Sequence, residues 1–174
     1  MFKRFSSLLF ASSCALTLVA CGGDDGFSKA SEAFKASIQA GCQKAFDCMS
    51  SYDPAMHNGT AFADSYGTSV DNCVTQTLAF IDQFLPGYMA KLDASVAAGR
   101  IDFNGADAEA CINAGKSQTC DQFFEQNGAT YTAPASCNTA MVGTVATGGM
   151  CTIEDDCAVD SDNCDDTTMT CTAG

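Results

Sequence analysis

Phe27, Ala30, Phe34, Ile38, Cys42, Ala45 and Met49 follow one another at steps of three and four. That spacing puts them on one stripe of an amphipathic helix over about residues 28–50, facing a core, with Ser28 as the expected N-cap. Asp53-Pro54 and Asn58-Gly59 then mark a loop. A second helix is predicted over 68–84, with Val70, Cys73, Val74, Thr77, Ile81 and Phe84 on its buried side, ended by Pro86-Gly87. A third, shorter helix over 88–98 stops at Gly99, a good residue to follow a helix C-terminus. Residues 100–103 look extended. Asn104 is placed to cap a fourth helix through about Gly115, with Cys111 and Ile112 inward. Phe123 and Phe124, near Cys120, continue the apolar face.

Beyond Gly128 the pattern changes. Thr, Ala, Gly and Asp dominate, helical periodicity disappears, and Met141 to Met150 reads as a strand followed by a tight glycine turn. Cysteines fall at near-regular steps, Cys151-x5-Cys157-x6-Cys164-x6-Cys171, and segments this short cannot bury a core of their own. The expected fold is mainly α: a small disulfide-stapled helical bundle over 27–127, then a small cysteine-rich module of loops and hairpins over 128–174.

The N-terminal stretch belongs to a different class. Lys3 and Arg4 precede an apolar run over 5–20, short of the roughly 20 apolar residues that a spanning helix needs. A basic start, a short apolar run and a small residue before the cut describe a secretory signal. Leu18-Val19-Ala20-Cys21 resembles a bacterial lipobox, in which the cysteine becomes the lipidated first residue. An ordinary cut near Ala20 or an uncleaved anchor are the plainer readings; the Leu-Val-Ala before Cys21 favours lipidation, and Cys14 has no such context. Residues 1–20 are then leader and 21–26 a short polar tether. Gly22 rather than Asp after the cysteine resembles the signal for delivery to the outer membrane.

Cysteine usage agrees with export. Setting aside Cys14 and Cys21, ten remain: Cys42, Cys48, Cys73, Cys111, Cys120, Cys137, Cys151, Cys157, Cys164 and Cys171. An even set on an exported chain reads as five disulfides. Zinc is the competing reading, but it favours Cys-x2-4-Cys pairs or interleaved histidines, and His57 is the only histidine. The absence of any Cys-x-x-Cys also argues against a thioredoxin-like redox motif. The interleaved pairing Cys151–Cys164 and Cys157–Cys171 is expected for the C-terminal module. Cys48–Cys73 would join the end of the first helix to the start of the second, leaving Cys42–Cys111 and Cys120–Cys137 by elimination.

Charge narrows the partners. Removing residues 1–20 takes Lys3 and Arg4 away, so the net charge moves from −13 to −15. Such a chain repels nucleic acid and anionic lipid surfaces, and neither is expected as a partner. High negative charge is more often a matter of solubility than of binding.

Gly99-Arg100-Ile101-Asp102-Phe103-Asn104-Gly105, Ala110-Cys111, Cys120, Cys137 and the run from Gly148-Gly149-Met150-Cys151 through Cys157 and Cys164 resemble a group of cysteine-rich lipoproteins abundant in myxobacteria and their relatives. Their C-terminal segments are weakly similar to the cysteine-rich module of Dickkopf-type proteins. The resemblance covers most of the mature chain. It implies the architecture and no activity, because the group carries no established catalytic positions.

The residues themselves offer little enzyme chemistry. There is no Gly-x-Ser-x-Gly elbow, no His-Glu-x-x-His and no phosphate loop. His57, beside Asp53 and Asn58, would act as a general base only with a hydroxyl from elsewhere, such as Ser65 or Ser69. A lone loop histidine is more often a solvated side chain. Asn58-Gly59-Thr60 matches a glycosylation sequon and reads as a turn. Asp160, Asp162, Asp165 and Asp166 are faintly like an oxygen-rich calcium loop, but they lack the glycine and closing bidentate Glu of an EF-hand. A solvated acidic tip is the simpler account. The expectation is a non-enzymatic, cofactor-free, outer-membrane lipoprotein, held by its lipid, with a binding or structural role toward an envelope protein or glycan. The alternatives are a hydrolase using His57 and calcium-dependent adhesion through the acidic tip.

Overall fold

The computed structural model describes residues 26–125 and 128–174. The leader, Cys21 and the tether up to Asp25 lie outside the described residues. Seven α-helices, three short 3-10 helices and two two-stranded antiparallel sheets make up the regular structure of the described residues, with five disulfides.

Helix α1 (Ala30–Asp47) is the central element, and its inward stripe includes Ala30, Ile38, Cys42 and Ala45, all buried. Its N-cap is Lys29 rather than Ser28, whose hydroxyl instead donates to Glu32. The start is delayed because the preceding residues are tied elsewhere: Phe27 N–H donates to Gly105 O. Gly105 allows this close approach, since a Cβ there would collide with the Phe27 backbone.

The predicted loop at 53–59 is largely a 3-10 turn, Pro54–His57, with the Asp53 carboxylate accepting from Ala55 N–H. Asn58 ends it in the left-handed conformation at φ 55°. A short helix unforeseen in the sequence, α2 (Phe62–Tyr66), follows. Its Phe62 and Tyr66 pack with Tyr52, Phe123 and Phe124, so aromatic packing rather than propensity holds this short turn.

Helix α3 (Val70–Phe84) starts at Ser69, whose hydroxyl accepts from Asn72 N–H. Only Cys73 on it is fully buried; Val70, Val74, Leu78 and Ile81 are half-buried against α1. Phe84, expected on the buried side, and Leu85 beside it are exposed at 53% and 44%. Helix α4 (Tyr88–Ala97) ends as predicted, with Gly99 at φ 69°. Its Tyr88 and Leu92 join Ala30, Ile101 and Ile153 in one core cluster.

The extended segment is strand β1 (Ile101–Phe103), and it pairs antiparallel with β2 (Met141–Gly143), Ile101 opposite Gly143. Between them lie α5 (Gly105–Gly115), capped by Asn104 as expected, and α6 (Cys120–Phe123), which opens with a Thr119–Gln122 capping box. Helix α7 (Ala135–Thr139) lies where periodicity had suggested none. A disulfide from its Cys137 to Cys111 fixes it on α5. The last hairpin is β3 (Asp162–Asp165) and β4 (Thr170–Ala173), with Cys164 opposite Cys171.

The C-terminal disulfides are Cys151–Cys164 and Cys157–Cys171, the interleaved pairing expected. The other three differ from expectation: Cys42–Cys73, Cys48–Cys120 and Cys111–Cys137 replace Cys48–Cys73, Cys42–Cys111 and Cys120–Cys137. The helix explains the change. Cys42 and Cys48 are six positions apart, about 120° around the axis at roughly 100° per residue. They therefore face different neighbours. Cys42 follows Ile38 by one turn and meets α3, while Cys48 caps α1 beside Phe123 and Phe124 and meets α6.

Candidate functional site

Two places in the structure hold concentrated side-chain chemistry, and they lie at different ends of α1. The first is the aromatic cluster around His57 at the C-terminal end. The imidazole stacks on Tyr52 with ring centroids 4.5 Å apart and planes 6° from parallel, and meets Phe124 edge-on at 5.9 Å. Tyr52 in turn packs edge-on against Phe62, Tyr66 and Phe124. Its hydroxyl donates to Thr60 O at 2.9 Å and lies 3.3 Å from Ser65 Oγ. Burial, with the Tyr52 hydroxyl adding to it, pushes the Tyr66 phenol up to about 12.

Of the two hydroxyls considered for His57, Ser69 caps α3 and Ser65 contacts the Tyr52 phenol. The imidazole is half-buried and flanked by rings. This arrangement resembles a packing joint that clamps the 3-10 turn onto α6.

The second place is the seam between the helices and the C-terminal residues. Asp156 is fully buried; its Oδ2 accepts from Arg100 Nε at 2.9 Å and from Thr152 N–H at 2.7 Å. Asp156 Oδ1 is buried with no hydrogen-bond partner among the described residues. Arg100 also donates to Ser95 Oγ, itself fully buried on α4. One residue earlier, Asp155 Oδ2 accepts from the Tyr88 hydroxyl at 2.7 Å. Burial is the main cause that pushes the Tyr88 phenol far up, and the Asp155 carboxylate beside it adds to the effect. Gly143 lets β2 lie directly on this acidic turn, for a Cβ there would meet the carbonyls of Asp155 and Cys157. Backbone bonds from Val145 N–H to Asp156 O and from Ala158 N–H to Val145 O complete the seam. It joins two parts of the chain.

The four aspartates considered for calcium do not act as one group. Asp162 is buried and accepts from Thr147 Oγ1 at 2.6 Å. Asp165 Oδ1 accepts from Thr167 N–H, Thr168 N–H and the Thr168 hydroxyl, organising the β3–β4 turn. Those bonds, the Thr168 N–H first, hold its carboxyl below the usual range. Asp160 and Asp166 are exposed. Among the described residues, the one set of three metal-ligating side chains that converges is Cys151, Cys157 and Cys171, and all three sulfurs are in disulfides.

A groove of about 210 Å³ lies at the opposite end of α1 from His57, between α1, the end of α3 and the start of α4. Leu78, Ile81, Leu85 and Met89 line it, with Lys35 and Asp82 at its edge. Sequence reasoning missed it because Phe84 was assigned to the buried side of its helix. Phe80 and Phe84 stand at helical spacing beside the buried stripe, and the structure leaves both exposed, at 45% and 53%. No helix of the described residues is long and apolar enough to cross a membrane. Compared with protein-family models, curated proteins and solved structures, the chain has no match in any of the three.

Proposed function

We propose that this chain is an outer-membrane lipoprotein anchored through Cys21, with a binding or structural role toward an envelope protein or glycan and no catalytic activity of its own. The observation that carries the reading is Leu18-Val19-Ala20-Cys21 behind a short apolar leader, on a chain whose other ten mature cysteines pair completely. Complete pairing fits an oxidising compartment outside the cytosol. In this reading a mainly α, disulfide-stapled bundle over 27–127 carries a small cysteine-rich module over 128–174. The binding reading is supported by the open apolar groove, and by the engagement of His57 and Ser69 in packing and capping.

Cell fractionation of the Cys21→Ala variant tests it. The variant is expected to leave the membrane fraction or to accumulate with its leader uncut. Unchanged processing and unchanged membrane association would overturn the reading.

A further inference from the structure

The end of α3 is more apolar than its packing requires. An edge helix of a globular domain needs one apolar stripe, and α3 has it in Val70, Val74, Leu78 and Ile81. A second pair, Phe80 and Phe84, stands one turn apart with ring centroids at 4.5 Å and exposures of 45% and 53%. Leu85, 44% exposed, continues this surface into the groove.

Three observations indicate what covers this surface. The first is position. Helices α1 and α3 run antiparallel, since Cys42 near the end of α1 bonds Cys73 at the start of α3, while Lys35 in the first half of α1 lines one groove with Ile81 and Leu85 at the end of α3. The Phe80–Leu85 surface is therefore at the end of the molecule where α1 begins. The second is reach. Five Cα steps separate Cys21 from Gly26, at most about 18 Å of extended chain. A lipid on Cys21 holds this end, and not the His57 end, against a bilayer. The third is charge. Residues 26–38 and 78–95 carry Lys29, Lys35 and Lys91 against Glu32, Asp82 and Asp93, so the two segments are neutral on a mature chain of net −15. Asp24 and Asp25 belong to the tether; of the neighbouring Glu154, Asp155 and Asp156, the last two are held by Tyr88 and Arg100, which leaves Glu154 as the one further carboxylate beside Tyr88.

We infer that the Phe80–Phe84–Leu85 surface rests in the interface of the bilayer that holds the lipid anchor. The inference builds on the lipoprotein reading above and adds an orientation to it. Phe80, Phe84 and Leu85 enter the headgroup–acyl boundary, as apolar faces of interfacial helices do, while Lys35 and Lys91 keep their ammonium groups at headgroup level. The protein then stands on this end. The 18 residues of α1 extend about 27 Å from it, carrying the His57 cluster away from the membrane.

The chain has no tryptophan, so one introduced tryptophan is a unique reporter. Full-length lipidated protein carrying Phe84→Trp, Phe80→Trp or Met56→Trp would be reconstituted into zwitterionic phosphatidylethanolamine–phosphatidylcholine vesicles, with and without brominated lipid. All three positions are exposed, so the core is left intact. Flotation with the vesicles is read first. The expected result is flotation of all three, with a blue-shifted emission and loss of most of its intensity to brominated lipid for Phe84→Trp and Phe80→Trp, and neither for Met56→Trp. Flotation without quenching at positions 80 and 84 overturns the inference and leaves the anchor standing. Equal quenching at all three positions overturns the fixed orientation. A blue shift that grows with protein concentration in the absence of vesicles overturns it in favour of a second copy of the chain. Failure to float overturns the anchor reading, and the inference falls with it.

Discussion

Arg100 Nε lies 2.9 Å from Oδ2 of the fully buried Asp156, joining the residue before β1 to an acidic turn 56 positions later. Both ends of this pair have further bonds, to Ser95 Oγ on one side and to Thr152 N–H on the other. Removing one partner leaves a charge in the seam without its counterion, which costs about 3–5 kcal/mol when buried. Arg100→Met and Asp156→Ala should each lower stability by about 3 kcal/mol in urea denaturation. Because they act on the same pair, the double variant should lose clearly less than the sum. Full additivity would show that the pair is not coupled.

Gly143 should tolerate no side chain. The atoms a Cβ would meet are backbone carbonyls, Asp155 O and Cys157 O, and Cys157 is further held by its disulfide to Cys171. Neither can swing aside as a flexible side chain would. Gly143→Ala is expected to lower stability by about 1–3 kcal/mol and to make residues beyond 145 more sensitive to protease. Gly87→Ala is the comparison: a Cβ there meets nothing, and only its φ of 70° opposes the change.

High pH should weaken the fold through its tyrosines. The Tyr66 phenol is raised from 10.0 to about 12, and the Tyr88 phenol is raised further. A folded-state pKa above the unfolded value means the folded state keeps the proton longer. The stabilisation is then complete below pH 10 and is lost as pH rises through about 12. Lys44 works the other way: burial lowers its ammonium, whose Nζ donates to Gln118 O, so its contribution rises with pH. With Tyr66, Tyr88 and Tyr131 all raised against one lysine, stability should fall between about pH 10 and pH 12, and Tyr66→Phe should flatten that fall. Denaturation curves across this range, with phenolate absorbance as the titration signal, check it. A Tyr66→Phe curve parallel to the parent would contradict the assignment.

The C-terminal residues should depend on their bridges more than the helices do. Beyond Cys137 the large buried apolar side chains are few, with Ile153 the main one, whereas α1, α4 and α5 bury Ile38, Leu92 and Ile112. The loops closed by Cys151–Cys164 and Cys157–Cys171 span 13 and 14 positions, each worth about 3 kcal/mol by chain entropy. Mild reduction should therefore open residues 145–174 to protease while most of the helical circular dichroism remains. Loss of helicity with a protease-resistant C-terminus would reverse the division.

Much of the local structure was legible in the sequence. The α1, α3, α4 and α5 helices follow from apolar spacing at three and four, and Ser69, Asn104 and Gly99 act at their ends through side-chain oxygens or a left-handed backbone. The interleaved pairing of the last four cysteines matches expectation, but it is one of the three that four cysteines allow, and spacing alone does not select it. Helices α2 and α7 were not: five residues give too little periodicity to read, and contacts far away in the chain hold them. Among the candidate site residues, the chain shows where His57 and the aspartates are, but not that Tyr52 and Phe124 flank the one or that hydrogen bonds in the hairpin occupy Asp165.

The sequence by itself determined the four longer helices, α1, α3, α4 and α5, and where the chain turns between them, since those outcomes depend on side chains within four positions of each other. The tertiary structure decided the partners: Cys42 with Cys73, Cys48 with Cys120, β1 with β2, Arg100 with Asp156, and Phe84 to solvent rather than core. Loop-closure entropy cannot make these choices. Closing the 72-residue separation of Cys48–Cys120 rather than a loop to Cys73 roughly a third as long differs by only about 1 kcal/mol. Which face of α1 meets which helix outweighs that small difference, and the facing of one helix on another exists only once both are packed.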